Sequence, residues 1–590
     1  MTFLSFRFNL FRGMKNDVSK RLPFYAADWT VDAWNYRIIP ATIYMYFANV
    51  LPAIAFALDM FSKTHNSYGV NEVLLASVLG AILFSVFAGQ PLCIVGVTGP
   101  ISVFNYTVYE IMVPRGTPYF QFMCWVCLWS MIMHFAIAIT NGVNGLRFVT
   151  KFSCDIFGFY VAFIYLQKGI QVLTRQFDKS DIEGFLSIMI ALLVLIFGYL
   201  CQIIGENSPL FWRPIRRFLS DYGTPLVIVF FTGFIHIGKM RGYDIQKLPI
   251  SHAFQPTADR LVRHHGWFIH FWEGITIGDV FLAIPFAILL TILFYFDHNV
   301  SSLICQGKEF PLTKPASFHW DFFLLGISTG VSGILGIPAP NGLIPQAPFH
   351  TMSLCVIKEE KARHEFDGEN GDVTATNNNT SGYRSIIDKV IEQRVSNFAQ
   401  GLMILGTMSR PLLVVLSLVP QAVLAGLFWV MGLSALQSNG IVLKLYYLSK
   451  DHILTSTNDP LRKVRIKYIY LFVVIELIAF GATFAITQTI AAVGFPAILM
   501  LFAAFTGVLP KIFSSEELAI LDSPTASEFT MESVLAKEQS WSSEGHNLGP
   551  DRASSLSLSH YPEDTGLHYS GSKHRLSGLR QDENNDNPIH

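Results

Sequence analysis

The sequence predicts an all-α polytopic membrane protein with about fourteen spans, two of them broken midway. Three observations predict it. Of 590 residues, 51% are hydrophobic and 14% charged, and mean hydropathy is +0.40, whereas soluble domains carry roughly 25% charged residues. Apolar runs recur from residue 38 to residue 508. Two of those runs hold Gly and Pro in clusters that break a helix.

The first break is Cys93-Ile-Val-Gly-Val-Thr-Gly-Pro-Ile-Ser-Val-Phe-Asn-Tyr-Thr107. Backbone released from a helix inside a bilayer must be buried by protein or line a cavity. Pro100 suits the first turn of a new helix, capped by Thr98 or Gly99. Its free N–H groups and positive dipole end then form a site for an anion near the membrane midplane. The second break is Gly333-Ile-Leu-Gly-Ile-Pro-Ala-Pro-Asn-Gly-Leu-Ile-Pro-Gln-Ala-Pro-Phe-His350. Paired broken segments in corresponding halves mark transporter binding sites. Pro100 follows the first span's start at Ile38 by about 62 residues, and Pro340 follows Gly278 by about 62, which suggests an internal repeat.

In order, residues 1–37 are a short basic segment with no room for a folded soluble domain, expected in the cytoplasm. Residues 38–237 hold a first set of spans, at about 38–59, 73–90, 91–111 (broken), 118–140, 155–173, 184–203 and 224–237. A polar loop, 238–277, is expected outside. A second set occupies 278–508, at about 278–297, 319–332, 333–355 (broken), 395–409, 411–436, 467–482 and 484–508. Several runs fall short of the roughly 20 residues of a full span, as bent or broken helices would. Residues 357–394, charged and Asn-rich, are expected to be a mostly disordered cytoplasmic loop, leaving the sequons at Asn378 and Asn379 unmodified. Residues 509–590 are expected to be a cytoplasmic tail, disordered from residue 523. Lys and Arg clusters at 147–151, 213–217, 308–314 and 444–467 place both termini in the cytoplasm; the basic 238–277 loop fits that rule worst.

Few residues could carry chemistry. Asp297 closes the apolar run from Phe281. It either caps the span at the surface or faces a water-filled path. A carboxylate beside a helix-end anion site could couple substrate movement to protons. Asn341 and Gln346 flank the second break, and Asn105 and Tyr106 follow the first. Each could bind a hydroxyl-rich ligand or satisfy freed backbone. Cys124 and Cys127 form a C-x-x-C inside an apolar run without a second ligand pair, and are taken as small buried residues. His264, His265 and His270 lack a completing ligand upstream and are assigned to a solvated external loop. Gly326, Gly330, Gly333 and Gly336 recur at the spacing of close helix packing. No phosphate-binding loop, metalloprotease motif or nucleophile elbow occurs, so an ATP-driven pump or a membrane hydrolase has no support, and no cofactor or metal is expected.

Val95-Gly-Val-Thr-Gly-Pro-Ile-Ser-Val-Phe104 resembles the third-span motif of the anion exchanger and bicarbonate transporter family. Phe296-Asp-His-Asn-Val-Ser-Ser-Leu-Ile304, Gly336-Ile-Pro-Ala-Pro-Asn-Gly342, Pro348-Phe-His-Thr-Met-Ser-Leu354, Glu392-Gln-Arg-Val-Ser396, Ala422-Val-Leu-Ala-Gly-Leu-Phe-Trp-Val-Met-Gly432 and Glu516-Glu-Leu-Ala-Ile-Leu-Asp522 agree in order. The resemblance covers about residues 25–522. Animal members carry a large cytoplasmic domain ahead of the membrane part. Its lack here makes the chain most similar to the fungal and plant borate efflux branch.

That resemblance implies two inverted repeats of seven spans. It implies a core of spans 1–4 and 8–11 moving against a gate of spans 5–7 and 12–14, in a homodimer of the plasma membrane. Asp297 falls on the family's eighth-span acidic residue. Gln346 falls where animal chloride/bicarbonate exchangers place an arginine. Two helix N-termini supply about +0.5 each. Without the arginine, such a site suits one weakly acidic, hydroxylated anion such as borate, to which Gln offers donors and an acceptor.

The expected function is therefore secondary active, proton-linked borate export by alternating access. Thr98, Gly99, Pro100, Ile101, Ser102, Asn105, Tyr106, Asn341, Gly342 and Gln346 would build the substrate site, and Asp297 would couple it to protons. The expected partners are the anion, membrane lipid and a second copy of the chain, with no nucleic acid. A bicarbonate/chloride or general anion exchanger of the same fold is the alternative, and a transport-inactive receptor signalling through its tail a more distant one.

Overall fold

The computed structural model describes residues 10–206, 210–250, 253–259, 262–361, 383–451, 459–489, 492 and 494–534. In chain order the elements begin with α1 (Arg12–Arg21), α2 (Tyr25–Trp29), α3 (Ile38–Lys63), α4 (Val70–Phe87), β1 (Val95–Gly96) and α5 (Gly99–Met112). They continue with α6 (Tyr119–Ile139), α7 (Lys151–Thr174), α8 (Asp181–Glu206), α9 (Arg213–Phe234), α10 (Ile277–Cys305), α11 (His319–Leu335), β2 (Asn341–Gly342) and α12 (Gln346–Ser353). Then come β3 (Cys355–Lys361), β4 (Tyr383–Val390), α13 (Val395–Thr407), α14 (Arg410–Ser417), α15 (Gln421–Gln437), α16 (Gly440–Ser449), α17 (Ile466–Thr487) and α18 (Phe495–Phe505). The short helices α19 (Leu509–Ile512), α20 (Ser515–Leu521) and α21 (Glu528–Met531) close the described chain.

Among the described residues, seven helices are long and apolar enough to cross a membrane: α3, α4, α6, α7, α8, α10 and α17. Two bent pairs, α13–α14 at 83° and α15–α16 at 68°, qualify as broken spans. The other expected spans fall short for visible reasons. Helices α5 and α12 are halves that start inside the protein, and α9 opens on Arg213, Arg216 and Arg217. The large apolar side chains left exposed on α8, among them Phe185, Leu192, Ile196 and Phe197, suit contact with lipid.

The helices pack in two groups. One holds α3–α6 with α10–α13, where α6 lies against α10 and α11, and α13 against α3 and α4. The other holds α7–α9 with α15–α18, built around α7 against α15 and α17, and α14 follows α13 at its bend. The glycines of α11 let α6 approach closely. A Cβ on Gly326 would lie 2.7 Å from His134 Cβ, and one on Gly333 would lie 2.6 Å from Cys127 Cβ. Cys124 and Cys127 are buried in that contact, unpaired.

Several expectations are corrected here. The basic N-terminal segment, too short for a domain of its own as expected from its length, is helical over Arg12–Arg21 and Tyr25–Trp29 and packs on the helices. Asp17 on α1 accepts the N–H groups of Phe318, His319 and Trp320 at 3.1, 2.8 and 3.2 Å, capping α11. Asp28 sits in a buried ionic knot, 3.1 Å from Arg21, 2.5 Å from Lys314 and 3.1 Å from Arg394. The 357–394 loop is ordered at both ends. There β3 and β4 pair antiparallel, because Val356, Ile357, Ile386 and Ile387 give the strands β-branched character. Glu392, Gln393 and Arg394 are buried. Asn378 and Asn379 lie outside the described residues. The tail is likewise ordered as far as Val534, since Ala526, Thr530 and Val534 are buried against the helices; the rest of it lies outside the described residues.

Candidate functional site: a carboxylate between two broken segments

The first break forms as its residue types require. Val95 and Gly96 run extended, Thr98 caps the next helix with its Oγ1 3.4 Å from the Ile101 N–H, and Pro100 sits in the first turn, where no donor is needed. The freed backbone finds partners in the second break. Val95 pairs with Gly342 and Gly96 with Asn341, and the Leu343 N–H donates to Ile94 O at 2.9 Å. This two-strand crossing satisfies polar backbone in a setting that offers no water. It needs glycine at both strands. A Cβ on Gly96 would lie 2.8 Å from Asn49 Oδ1, and one on Gly342 would lie 2.9 Å from His298 Cα, on α10.

That close approach brings Asp297 to the crossing. Its carboxylate is 1% exposed. The Oδ2 atom accepts from Asn341 Nδ2 at 3.1 Å and from Thr98 Oγ1 at 3.4 Å. One oxygen thus ties together residues from both broken segments. Among the described residues no cation pairs with it. Helix α10 continues to Cys305 through the buried His298, Asn299, Ser301 and Ser302. Asp297 is therefore inside a helix and inside the protein, and the surface-cap reading fails.

The second half-helix starts at Gln346, not at Pro340. Ile38 to Gly99 is 61 residues and Ile277 to Gln346 is 69, so the equal spacing of the two prolines does not mark equivalent helix starts. Gln346 Nε2 donates to Ala48 O at 3.2 Å and to the Tyr165 hydroxyl at 3.5 Å, while its Oε1 is buried without a protein partner. Tyr165 comes from α7, in the other helix group. It clusters with Phe56 and Phe428 at ring distances of 5.5 to 5.7 Å.

The sequence-selected residues divide by position. Thr98, Asn341 and Gly342 meet around Asp297, with Gly99, Pro100 and Ile101 forming the first turn above Thr98, while Gln346 turns to Ala48 and Tyr165. Gly99 is pressed against Phe56 and Ile164, where a Cβ would lie 3.1 and 3.3 Å away. Ser102 and Asn105 turn back on α5, donating to Thr98 O at 3.1 Å and Ile101 O at 2.9 Å. Asn105 Oδ1 stays buried without a partner. Tyr106 goes elsewhere. Its ring lies 3.9 Å from Lys63 Nζ and 5.5 Å from Lys168 Nζ. It lines a cavity of about 250 Å³ with Lys63, Glu110, Gln167, Lys168 and Gln488.

Sequence reasoning passed over the neighbours of that cavity. Asp59 on α3 pairs with Lys168 of α7 at 2.5 Å and with Arg175, just past the end of α7, at 2.6 Å. Asp59 and Lys168 stand inside apolar runs, and charge in a span was the available signal.

Residues 9–184 and 180–526 match the HCO3− transporter integral membrane domain family. A Schizosaccharomyces pombe protein named as a transporter is 57% identical, over 88% of this chain and 97% of its own. Boron transporter 1 of Saccharomyces cerevisiae is 49% identical, over 89% of this chain and 87% of its own. The human Band 3 anion transport protein is 26% identical, over 88% of this chain and 56% of its own. The chain is an integral multi-pass membrane protein and belongs to the HCO3− transporter integral membrane domain family.

Proposed function

We propose that this protein exports borate across the plasma membrane by alternating access, linked to protons through Asp297. The observation that carries the reading is one buried carboxylate held by Thr98 of the first broken segment and Asn341 of the second. The half-helices α5 and α12 each contribute about half a positive charge at their N-termini. With Asp297 charged, the site is close to neutral and holds an anion poorly. With Asp297 neutral, it carries about one positive charge and suits a single monovalent anion. The charge on Asp297 thus switches the site between holding and releasing. Gln346 and Tyr165 offer neutral donors and acceptors to the hydroxyls of such an anion.

Alternating access would come from the first helix group moving as a core against the second as a gate, with Gln346 and Tyr165 meeting across that boundary. Both termini would be cytoplasmic, the 238–277 loop external, and the working unit a homodimer. The 49% identity to a yeast boron transporter supports borate as the substrate.

The test is the boron content of boron-loaded yeast cells that lack their own exporter. One strain expresses this chain, one expresses Asp297→Asn, and one carries an empty vector. Low boron in the first strain alone, with the variant present at the plasma membrane, is the expected result. Low boron in the variant as well would keep export and remove Asp297 from it. High boron in all three would overturn the reading and favour bicarbonate or chloride as the cargo.

A further inference from the structure

The loop before α10 folds so that three potential metal ligands converge. Glu273 Oε2 lies 3.4 Å from His265 Nε2, and Glu273 Oε1 lies 2.9 Å from His270 Nδ1. The two imidazole rings are stacked with centroids 3.6 Å apart. One ligand atom from each of the three residues lies within 4.8 Å of the others. Ligand atoms on a tetrahedral zinc ion stand about 3.3 Å apart when the bonds are about 2.05 Å. The two distances from Glu273 bracket that edge, and a metal enters once the two rings turn out of their stack so that both lone pairs point at it.

The backbone that carries these ligands is anchored. The Ile269 N–H, between the two histidines, donates to Ile334 O at 2.8 Å. Phe271 O accepts from Trp125 Nε1 at 2.8 Å. Arg263, just ahead of the cluster, is buried, pairs with Glu72 at 3.5 Å, and donates to the carbonyls of Leu335 and Gly336. Trp272 stacks on His270 at 5.0 Å. Ordering the loop is therefore already accomplished by contacts that no ligand makes, which lowers the cost of binding.

We propose that His265, His270 and Glu273 form a zinc site of the two-histidine, one-carboxylate type, with a water or another small ligand in the fourth position. Two imidazoles and a carboxylate are the donor set that zinc accepts, and three protein ligands leave one position open. His264, adjacent in sequence, stands outside the cluster. The site sits on the loop that clamps Gly336, the residue that opens the second broken segment.

The test is independent of transport. Purified full-length protein in detergent, stripped with a chelator and exchanged into chelator-free buffer, is titrated with ZnCl2 in a calorimeter. One zinc per chain is expected. His265→Ala and Glu273→Gln should each weaken binding about tenfold or more, while His264→Ala should bind as the parent does. All variants should elute from size exclusion as the parent does, since the substituted side chains are partly exposed. No zinc binding at micromolar concentration, or equal binding in His265→Ala and Glu273→Gln, would overturn the assignment. A loss in His264→Ala as large as in the other two would also overturn it, because general affinity of a histidine-rich loop would then explain the data.

Discussion

Lys168 on α7 places its Nζ 2.5 Å from Asp59 Oδ2 on α3, and both side chains are at most 5% exposed. The pair crosses between the two helix groups, and Arg175, just past the end of α7, adds a second cation 2.6 Å from the same carboxylate. Removing one member of a buried pair strands the other without solvent, at about 3–5 kcal/mol. Asp59→Asn is therefore expected to lower the thermal stability of the purified protein by that order. Asp59→Asn with Lys168→Met should lose less than the two single changes added together. Additive losses would mean the pair does not hold the groups together.

The Asn341 amide reaches the Asp297 carboxylate at 3.1 Å. Asn341→Asp keeps the shape and replaces a donor with a second carboxylate. Two such groups at that distance cannot both ionise readily. Transport should fall by an order of magnitude or more, with protein still at the membrane, and the remaining activity should move to a different pH optimum. Efflux measured across a range of external pH would test this, and an unchanged profile would remove Asn341 from the site.

How much of this was legible in the sequence depended on whether the signal was local. The break at Gly96, Gly99 and Pro100 is local chemistry, and the cap at Thr98 followed from residue type. The end of α10 was not legible, since His298, Asn299, Ser301 and Ser302 look like a surface sequence until the crossing of β1 and β2 buries them. The position of Tyr106, beside Lys63 and away from Asp297, was not legible for a geometric reason. Following the break by a few residues says nothing about which face of α5 a side chain occupies. The ionic knot at Asp28 was hidden by distance, because its partner Arg394 is 366 residues away in sequence.

Gln346 holds a position where a cation would change the charge of the site. Its Oε1 has no protein partner, and its Nε2 contacts are long. Gln346→Arg adds one full positive charge near the N-terminus of α12, where the helix itself supplies about half of one. Chloride or bicarbonate flux should rise several-fold relative to borate flux in proteoliposomes. A proportional loss of all fluxes would mean that the larger side chain simply blocks the site.

The segment 522–534 bridges three parts of the protein. Asp522 Oδ1 accepts the Phe152 N–H of α7 at 2.7 Å. Thr525 O accepts the Lys308 N–H, just past α10, at 3.3 Å, and the Ser533 hydroxyl donates to Asp17 Oδ1 on α1 at 3.1 Å. The segment therefore links α7 in one helix group to α10 in the other. The hydrogen bonds of Thr525 O and the Ser533 hydroxyl, each worth about 0.5–1.5 kcal/mol, together with buried Ala526 and Val534, should make truncation after Asp522 cost about 2–4 kcal/mol. Truncation after Val534 should cost nothing measurable, since every one of those contacts remains. Melting temperatures of the two truncated proteins test the difference, and equal values would show that the bridge carries no load. Boron content of cells expressing the shorter form adds a functional test. Low boron despite the lower melting temperature would show that transport does not depend on the tail, which counts against a receptor that signals through it.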